Sequence, residues 1–299
     1  MNKTRCGYAG IVGRPNVGKS TLLNHLMGTK LSITSRKPQT TRINLIGIST
    51  RDQTQIIFVD TPGLRSLGPD PSGRKINRYM SNQAMAAVED VDLAVLLVDA
   101  RGWTEADETV LTLIKREGVT TICGINKIDR LVRKDLLLPL INEIQDKHAF
   151  EAIIPLSALH RQGLDDLSAE IARLMPEGPH LFDSDALTDR PLVFLVAEAI
   201  REKLMRQLGD ELPHRATVVV ERYDAGEILT EVDAVIYVER QSQKAIVIGR
   251  GGKRLKAIGQ EARGNIEDLA GGKVMLNLWV KVQPGWSNND ELLARFGYR

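Results

Sequence analysis

The stretch Gly13-Arg14-Pro15-Asn16-Val17-Gly18-Lys19-Ser20 decides how the first half of this 299-residue chain folds. It matches the pattern G-x-x-x-x-G-K-[ST], in which glycines let the backbone form a hollow whose N–H groups face an anion. Residues 8–12 before it form an apolar run typical of a strand, and residues 21–27 after it have a helical pattern. The stretch therefore predicts a triphosphate-binding loop, in which Lys19 neutralises the β- and γ-phosphates and Ser20 binds magnesium.

Short apolar runs alternate with amphipathic stretches through the first half of the chain. The runs predicted to be buried strands are residues 8–12, 56–59, 93–98, 121–125 and 152–155. The helical patterns are residues 21–27, 76–88, 105–116, 136–147 and 165–174. This alternation predicts an α/β domain with a mostly parallel sheet and helices on both faces. Ligands of such sheets bind at the carboxyl ends of the strands.

The alternation stops near Leu174, and prolines and acidic residues after it are typical of a linker. The later patterns are a helix at 192–207, strands at 216–222, 234–239 and 245–248, a helix at 257–270 and a strand at 273–282. Their order predicts a smaller α+β domain. The predicted division is a nucleotide-binding domain at 1–175, a linker at 176–190, a second domain at 191–285 and a C-terminal tail at 286–299. Trp286 in that tail is expected to be half-exposed.

Two more motifs follow predicted strands and narrow the choice of ligand. In Asp60-Thr61-Pro62-Gly63, Asp60 can hold a magnesium-bound water and the Gly63 N–H can approach a γ-phosphate. In Asn126-Lys127-Ile128-Asp129, the Asp129 carboxylate can accept hydrogen bonds from the N1–H and the 2-amino group of guanine. Adenine lacks both donors, and a buried carboxylate left unpaired costs about 1–3 kcal/mol. Together the motifs predict a guanine nucleotide as the ligand.

Three further assignments complete the predicted base pocket. The Lys127 stem lies over the base, Asn126 ties the phosphate loop to this segment, and a backbone N–H of Ser157-Ala158-Leu159 reaches the guanine O6. The residues predicted to bind nucleotide are Gly13, Arg14, Pro15, Asn16, Val17, Gly18, Lys19, Ser20, Thr21, Asp60, Thr61, Pro62, Gly63, Leu64, Asn126, Lys127, Ile128, Asp129, Ser157, Ala158 and Leu159.

In this order the motifs resemble those of translation-factor-related GTPases. GRPNVGKS, Lys37-Pro38-Gln39-Thr40-Thr41-Arg42 and DTPG resemble the TrmE–Era branch in particular. The resemblance implies GTP hydrolysis with GTP or GDP and Mg²⁺ as cofactors, and switch segments at 31–42 and 64–78. It implies that Thr41, in preference to Thr40, binds magnesium and the γ-phosphate. The implied catalytic residues are Lys19, Thr41 and Gly63, and the implied metal ligands are Ser20, Thr41 and, through water, Asp60.

Leu64 departs from the Ras-like pattern, which has a glutamine after this motif to orient the attacking water. An apolar side chain cannot do so, and catalysis then depends on phosphate positioning, magnesium and another group. Asn16 matches the asparagine that relatives with potassium-stimulated hydrolysis use as a monovalent-cation ligand. The resemblance therefore implies a K⁺ site at Asn16.

A glycine-bearing basic turn marks the second domain. Gly249-Arg250-Gly251-Gly252 forms a G-x-x-G pattern that lets a nucleic-acid backbone pass close to the main chain. Residues 244–263 hold six basic residues and one acid, inside a chain of net charge +2. The α-β-β-α-α-β order resembles a type II KH domain. The predicted RNA contacts are Ile248, Gly249, Arg250, Gly251, Gly252, Lys253, Arg254, Lys256 and Ile258, although Ile248 and Ile258 fit the core equally well. The charged residues of the helix at 192–207 are expected to face solvent.

A guanine-nucleotide switch joined to a KH domain resembles the Era family over essentially the whole chain. The resemblance implies binding near the 3′ end of 16S rRNA and a role in assembly of the small (30S) ribosomal subunit. Two alternatives stay open: a GTPase that acts on another RNA such as tRNA, and an RNA-binding module whose nucleotide domain is only structural. We expect a monomer.

Composition limits where the protein acts. The two cysteines, Cys6 and Cys123, lie far apart and belong to no CxxC pair, which favours reduced thiols in the cytoplasm. No apolar run approaches the ~20 residues of a membrane helix. A cytoplasmic protein is predicted, and a weak association with the inner face of the membrane stays open.

Overall fold

The computed structural model describes residues 4–35, 37, 39–64, 73–209 and 215–298. The described residues fall into two compact units, one within 1–32, 41–71 and 78–189, the other within 33–40, 72–77 and 190–299. Residues 36, 38 and 65–72 of the predicted switch segments lie outside the described residues.

The first unit is built on a six-stranded sheet of order β2-β3-β1-β4-β5-β6. The strands are β1 (Arg5–Val12), β2 (Leu45–Arg51), β3 (Thr54–Asp60), β4 (Leu93–Asp99), β5 (Thr121–Asn126) and β6 (Ala152–Leu156). Neighbouring strands are parallel except for β2, which is antiparallel to β3. The parallel strands end at one edge, where Ile11 lies opposite Asp60 and Asp99 lies opposite Asn126. The predicted mostly parallel α/β fold is confirmed.

Helices connect these strands and cover the sheet. They are α1 (Lys19–Met27), α2 (Lys75–Glu89), α3 (Glu105–Glu117), α4 (Leu137–Gln145) and α5 (Leu164–Leu174). Every residue of β4 is buried, as expected for a central strand with both faces covered. The first turn of α3 has a capping box in which the Asp107 carboxylate accepts hydrogen bonds from the N–H and the hydroxyl of Thr104.

The predicted linker is hydrogen-bonded to strands and termini of the first unit at several of its residues. Gly178 N–H donates to the Thr4 carbonyl at 3.0 Å, and Ile48 N–H donates to the Leu187 carbonyl at 2.9 Å. Between these points the Gln55 side chain, fully buried in β3, accepts from the N–H groups of residues 181 and 182 at 2.8 and 3.0 Å. These bonds satisfy backbone groups that a free spacer would leave to water.

The second unit has a three-stranded sheet of order β7-β8-β9, with β7 antiparallel and β9 parallel to β8. Its elements are α6 (Leu192–Gln207), β7 (Ala216–Ala225), β8 (Leu229–Val238), α7 (Gln241–Ile248), α8 (Lys253–Ala270), β9 (Lys273–Val282) and α9 (Asp290–Arg295). The α-β-β-α-α-β order of the predicted KH domain is confirmed by α6 to β9.

One predicted element of this unit is wrong. Residues 245–248 are not a strand but the end of α7, because the Gln243 side chain accepts the N–H groups of Glu239 and Arg240 at 2.8 and 2.9 Å and starts a helix there. An apolar run of four residues cannot distinguish the two structures by periodicity.

The C-terminal tail packs within the second unit, and the expectation for Trp286 is wrong. The Trp286 side chain is fully buried, and its indole N–H donates to the Arg215 carbonyl at 3.1 Å. It stacks on Tyr298, whose hydroxyl lies 3.0 Å from the Thr217 hydroxyl. A polar ring atom with a partner explains how this large side chain is accommodated inside the protein.

Candidate nucleotide and RNA sites

The predicted phosphate loop joins the end of β1 to the start of α1, and its backbone requires glycine at two positions. Gly13 has φ 149° and Gly18 has φ 110°, a region that side chains rarely adopt. A Cβ at Gly13 would lie 2.5 Å from the Leu97 carbonyl oxygen, and one at Gly18 would lie 2.4 Å from the Asn126 amide nitrogen. The loop is therefore held against β4 and β5 at the edge where the parallel strands end.

Lys19 is buried at the start of α1 and reaches back over the loop. Its Nζ donates to the carbonyls of Gly13 and Arg14 at 2.9 and 3.1 Å. Burial lowers the pKa of Lys19 to about 8, and the nearby charge of Asp60 offsets part of this effect. An anion placed beside this ammonium would raise the pKa of Lys19 again.

Three hydroxyls and one carboxylate meet beside Lys19. The Asp60 Oδ2 accepts from Ser20 and Ser32 at 2.7 Å each, and the Thr41 hydroxyl lies 2.9 Å from Ser20 Oγ. Burial raises the pKa of the Asp60 carboxyl, and bonds from the hydroxyls oppose the rise. Asp60 Oδ1 is buried and has no partner among the described residues. Oxygen donors with an unpartnered carboxylate atom fit Mg²⁺, which prefers oxygen ligands.

The segment after Asp60 approaches the phosphate loop closely. A Cβ at Gly63 would lie 2.7 Å from the backbone of Pro15, so only glycine permits this approach. Thr61 is buried and donates to the Ile11 carbonyl at 2.9 Å. Leu64 is 4% exposed and belongs to the hydrophobic core, where it has no means of orienting a water.

Asn126 ties three segments together at the end of β5. Its amide nitrogen donates to the Val17 carbonyl at 2.8 Å, and its oxygen accepts from Ala158 N–H at 2.9 Å and from Lys127 N–H at 2.8 Å. Lys127 has φ 69°, and its Nζ donates to the Asn16 carbonyl at 2.6 Å. The three separate stretches predicted to form the base pocket therefore meet in space.

Asp129 lies beside this junction and is partly accessible. Ser157 Oγ donates to Asp129 Oδ1 at 2.5 Å, and the Asp129 side chain is 18% exposed. The two residues that follow Ser157 differ in exposure, since Ala158 is buried whereas Leu159 is exposed. Because Ser157 holds one oxygen of this carboxylate and part of the side chain is exposed, the carboxylate can accept hydrogen bonds from a ligand.

The G-x-x-G turn lies between α7 and α8. Gly249, Gly251 and Gly252 have φ values of 72°, 58° and 75°. A Cβ would meet nothing within 4 Å at Gly251 or Gly252, so their backbone faces open space. Arg250 and Lys253 beside them are exposed. The turn therefore offers bare main chain flanked by cations.

A groove of ≈ 440 Å³ runs from this turn between α8 and β9. The residues lining it are Gly252, Leu255, Lys256, Gly259, Gln260, Arg263, Val274, Met275, Leu276 and Leu278. Its floor is apolar and its α8 wall carries two cations and an amide. Such a surface can take unstacked bases and a phosphate backbone.

Comparison with known proteins identifies the family. A family profile described as "50S ribosome-binding GTPase" matches residues 8–127, and a KH domain profile matches residues 211–287. GTPase Era of Marinobacter nauticus is 49% identical over 99% of this chain and 95% of that protein. GTPase Era of Azotobacter vinelandii is 49% identical over 100% of this chain and 98% of that protein. The chain belongs to the Era family of GTPases.

Solved Era structures agree with the assignment. A crystal structure of Era with MgGDPNP and nucleotides 1506–1542 of 16S ribosomal RNA matches with a TM-score of 0.94 and 41% identity over 99% of both chains. An Aquifex aeolicus Era variant bound to GDP·AlF4⁻ matches with the same score, identity and coverage. The Era-type fold predicted from the sequence, a GTPase domain followed by a KH domain, is confirmed, and the chain is a GTPase.

The structure corrects one predicted RNA contact of this Era-family chain. Ile258 is fully buried in the core of the second unit and has no surface in the groove. It lies on the inner face of α8. Lys256 is two residues earlier, just over half a helical turn away, and therefore lies on the opposite face. Ile248 is half-buried and packs against the same core.

The residues that sequence reasoning missed fall on one face of α8 and on β9. Gln260 and Arg263 follow Lys256 at the i+4 and i+7 positions, a helical spacing that could have predicted their common face. Ser32, which contacts Asp60, had no signal of its own beyond its place in the first switch segment.

Among the described residues, none of the helices has the length and apolar character needed to cross a bilayer.

Proposed function

We propose that this Era-family GTPase binds small-subunit (16S) rRNA near its 3′ end through its KH domain and acts as a GTP-dependent switch in assembly of the small ribosomal subunit. The groove between α8 and β9 beside the G-x-x-G turn carries this proposal. The relative with a TM-score of 0.94, which was solved with nucleotides 1506–1542 of 16S rRNA, supports it. The cytoplasm, where ribosomal subunits are assembled, is then the place of action.

The first unit supplies the chemistry of the proposed switch. Lys19 binds the β- and γ-phosphates, the backbone N–H of Gly63 binds the γ-phosphate, and Asp129 accepts hydrogen bonds from guanine. Ser20 and Thr41 would hold Mg²⁺ directly and Asp60 would hold it through water, and the ion would supply positive charge beside the phosphate oxygens. Asn126 keeps the phosphate loop and the base pocket in register. Water forms a bond to the γ-phosphorus while the bond from that atom to the β–γ bridging oxygen breaks, which leaves GDP and inorganic phosphate.

A potassium ion at Asn16 is the proposed substitute for the missing glutamine. Asn16 lies in the phosphate loop and has φ 64°, a left-handed backbone conformation that residues other than glycine rarely adopt and that clusters at functional sites. We expect hydrolysis to run at least about tenfold faster in KCl than in NaCl, because a cation beside the β- and γ-phosphates lowers the barrier by ~1.4 kcal/mol or more. Phosphate release at equal ionic strength measures the difference.

Asn16→Ala is the informative variant for the potassium site. The variant should hydrolyse GTP at one rate in both salts, while its GDP affinity stays near that of the parent. Equal rates for the parent in KCl and NaCl would exclude the potassium site and leave the other assignments standing.

The first switch segment supports coupling between GTP and RNA. Residues 33–40 belong to the second unit, where Thr34 donates its N–H and hydroxyl to Glu202 of α6 at 3.0 and 3.2 Å. Arg206 of α6 also donates to the Thr34 carbonyl, and Arg201 donates to the Thr40 carbonyl. Thr41, the proposed magnesium ligand, is the next residue in the chain. Ordering of Thr41 by Mg·GTP can therefore alter these bonds to α6, and linkage requires RNA to alter GTP affinity in return.

Removing the cations of the turn tests the RNA site. We expect Arg250→Ala/Lys253→Ala to weaken binding of the 16S 3′-end RNA by about tenfold or more and to lower the salt slope by ~1.4, since each phosphate contact on a single strand contributes ~0.7. Fluorescence anisotropy measures the RNA affinity at KCl concentrations between about 50 and 300 mM, and the slope follows from these affinities.

Arg222→Ala/Lys281→Ala is the matched control for this test. It removes two cations from strands of the same unit, where Arg222 pairs with Asp224 and Lys281 pairs with Glu221. RNA affinity and salt slope should stay at parental values in the control. Equal losses of RNA affinity in both variants would mean that RNA binding depends on the overall charge of the unit and not on the G-x-x-G turn.

Sequencing of RNA crosslinked to the protein identifies the target. We expect reads concentrated at the 3′ end of 16S rRNA. Enrichment of tRNA would instead support the alternative GTPase function, and the affinity difference between GTP-bound and GDP-bound protein would show whether the RNA site is switched at all.

A further inference from the structure

Asp99 is a buried carboxylate at the carboxyl end of β4 that none of the nucleotide motifs includes. It lies opposite Asn126 in the sheet register, so it stands beside the predicted base pocket. Its residue exposure is 0%. A carboxylate is buried at this depth only when it is paired, because an unpaired charge is strongly destabilised away from water.

The partners of Asp99 lie on two sides. Lys127 Nζ is 2.9 Å from Asp99 Oδ2. Arg101 donates its Nε to Oδ1 at 2.8 Å, its Nη2 to Oδ2 at 3.0 Å and its backbone N–H to Oδ1 at 3.1 Å. Burial alone would raise the pKa of the Asp99 carboxyl, but the hydrogen bonds from Arg101 and Lys127 outweigh it and hold the pKa well below its usual value. Asp99 is therefore ionised at neutral pH, and the Arg101 fork fixes its orientation.

The ammonium group of Lys127 is held between two oxygen acceptors. Its Nζ bridges the Asp99 carboxylate of β4 and the Asn16 carbonyl of the phosphate loop, at 2.9 and 2.6 Å. Its backbone has φ 69°, so the side chain starts from a constrained position. A lysine stem fixed at its backbone and at its ammonium group is an immobile apolar surface, whereas a lysine on the protein surface samples many rotamers.

We propose that Asp99 is a positioning residue for guanine-nucleotide binding, acting through Lys127. Its carboxylate fixes the ammonium group, and the immobilised stem forms the surface on which the base lies. The ordering cost of the lysine is then met before the nucleotide arrives, which is the physical basis of preorganisation. This inference rests on the proposed function of Asn126 to Asp129 as the guanine-binding segment.

Asp99→Asn tests the inference in the full-length protein. The amide keeps the shape but loses the charge that holds Lys127 Nζ. We expect the variant to release a fluorescent GDP analogue about tenfold faster and to bind GDP about tenfold more weakly, the loss of one charge-assisted contact. The kcat at saturating GTP should stay within about twofold of the parent, because Asp99 contacts no residue assigned to the phosphates except through Lys127.

Asp92→Asn is the matched control, since Asp92 immediately precedes β4 and accepts the Tyr8 N–H at 2.8 Å. It should leave GDP release unchanged. A structural role for Asp99 would lower the unfolding temperature without changing the rise that GDP produces, whereas a positioning role reduces that rise. Asp99→Glu, which keeps the charge but displaces it, provides the same readout if the asparagine variant does not fold, and we expect the same direction of change.

A double-mutant cycle with Lys127→Ala separates this inference from the proposed site. If Asp99 acts through Lys127, Asp99→Asn should add nothing to the loss already caused by Lys127→Ala. Additive losses, or parental GDP binding by both Asp99 variants, would overturn the inference while the guanine assignment stands. Unchanged GDP binding by Lys127→Ala would overturn the assignment itself.

Discussion

Lys19→Ala is expected to lower GTP affinity by at least about a hundredfold and to abolish measurable hydrolysis, because two or more charge-assisted contacts to phosphate are lost at once. Lys19 is buried and its Nζ is held at the carbonyls of Gly13 and Arg14, which fixes its charge at the phosphate loop. Calorimetry with GTP and GDP measures the affinity, and phosphate release measures the rate. Lys115→Ala, at an exposed position of α3, is the control that should retain both.

The pH dependence of binding gives Lys19 a second signature. With a pKa of about 8 in the free protein, Lys19 loses its proton as the pH rises above 8. The triphosphate binds the protonated form, so the affinity should fall and proton uptake should accompany binding above this pH. In Lys19→Ala the affinity should not show this fall, and binding should not take up a proton, between about pH 7 and pH 9, roughly one unit either side of the pKa. Parental affinity and hydrolysis in Lys19→Ala would contradict the assignment of Lys19 to the phosphates.

The nucleotide site could be predicted because its signals are local. Each of the three motifs follows a buried strand, and parallel strands bring their carboxyl ends to one edge without further information. Asn126 was therefore expected near the phosphate loop, and the structure places its amide nitrogen 2.8 Å from the Val17 carbonyl. The glycines could be interpreted in the same way, since the requirement at Gly13 and Gly18 is a property of the backbone itself.

What the sequence could not supply depends on partners that are distant in the chain. β2 was not predicted, because it pairs with β3 only along the sheet edge and has a mixed polar pattern. The charged face of α6 was expected in solvent, yet Glu202 is fully buried and accepts bonds from Thr34, 168 residues away. Asp99 follows an apolar strand like many surface aspartates, and its role needs the position of Lys127, 28 residues away in the chain.

Asp129→Asn is expected to weaken GTP binding by about a hundredfold or more, because the amide presents a donor where guanine also presents its amino donor. The same change should create affinity for xanthosine triphosphate, whose base carries a carbonyl oxygen at that position and can accept the new N–H. Ser157 can still donate to the amide oxygen, so the side chain keeps the contact that orients it. Competition among the two nucleotides and ATP for a fluorescent GDP analogue measures the exchange of specificity.

The rate of the variant with its new substrate separates base recognition from phosphate chemistry. Lys19, Ser20, Thr41 and Asp60 are unchanged in Asp129→Asn, so kcat at saturating xanthosine triphosphate should be close to that of the parent with GTP. Asp166→Asn, an exposed carboxylate in the first turn of α5, is the control and should keep GTP as its substrate. If Asp129→Asn bound GTP as tightly as the parent, guanine would have to be recognised by backbone groups near Ala158 alone. Such groups could donate to the O6 atom but would offer no acceptor to the 2-amino group, so ATP would then be excluded only by its lack of O6.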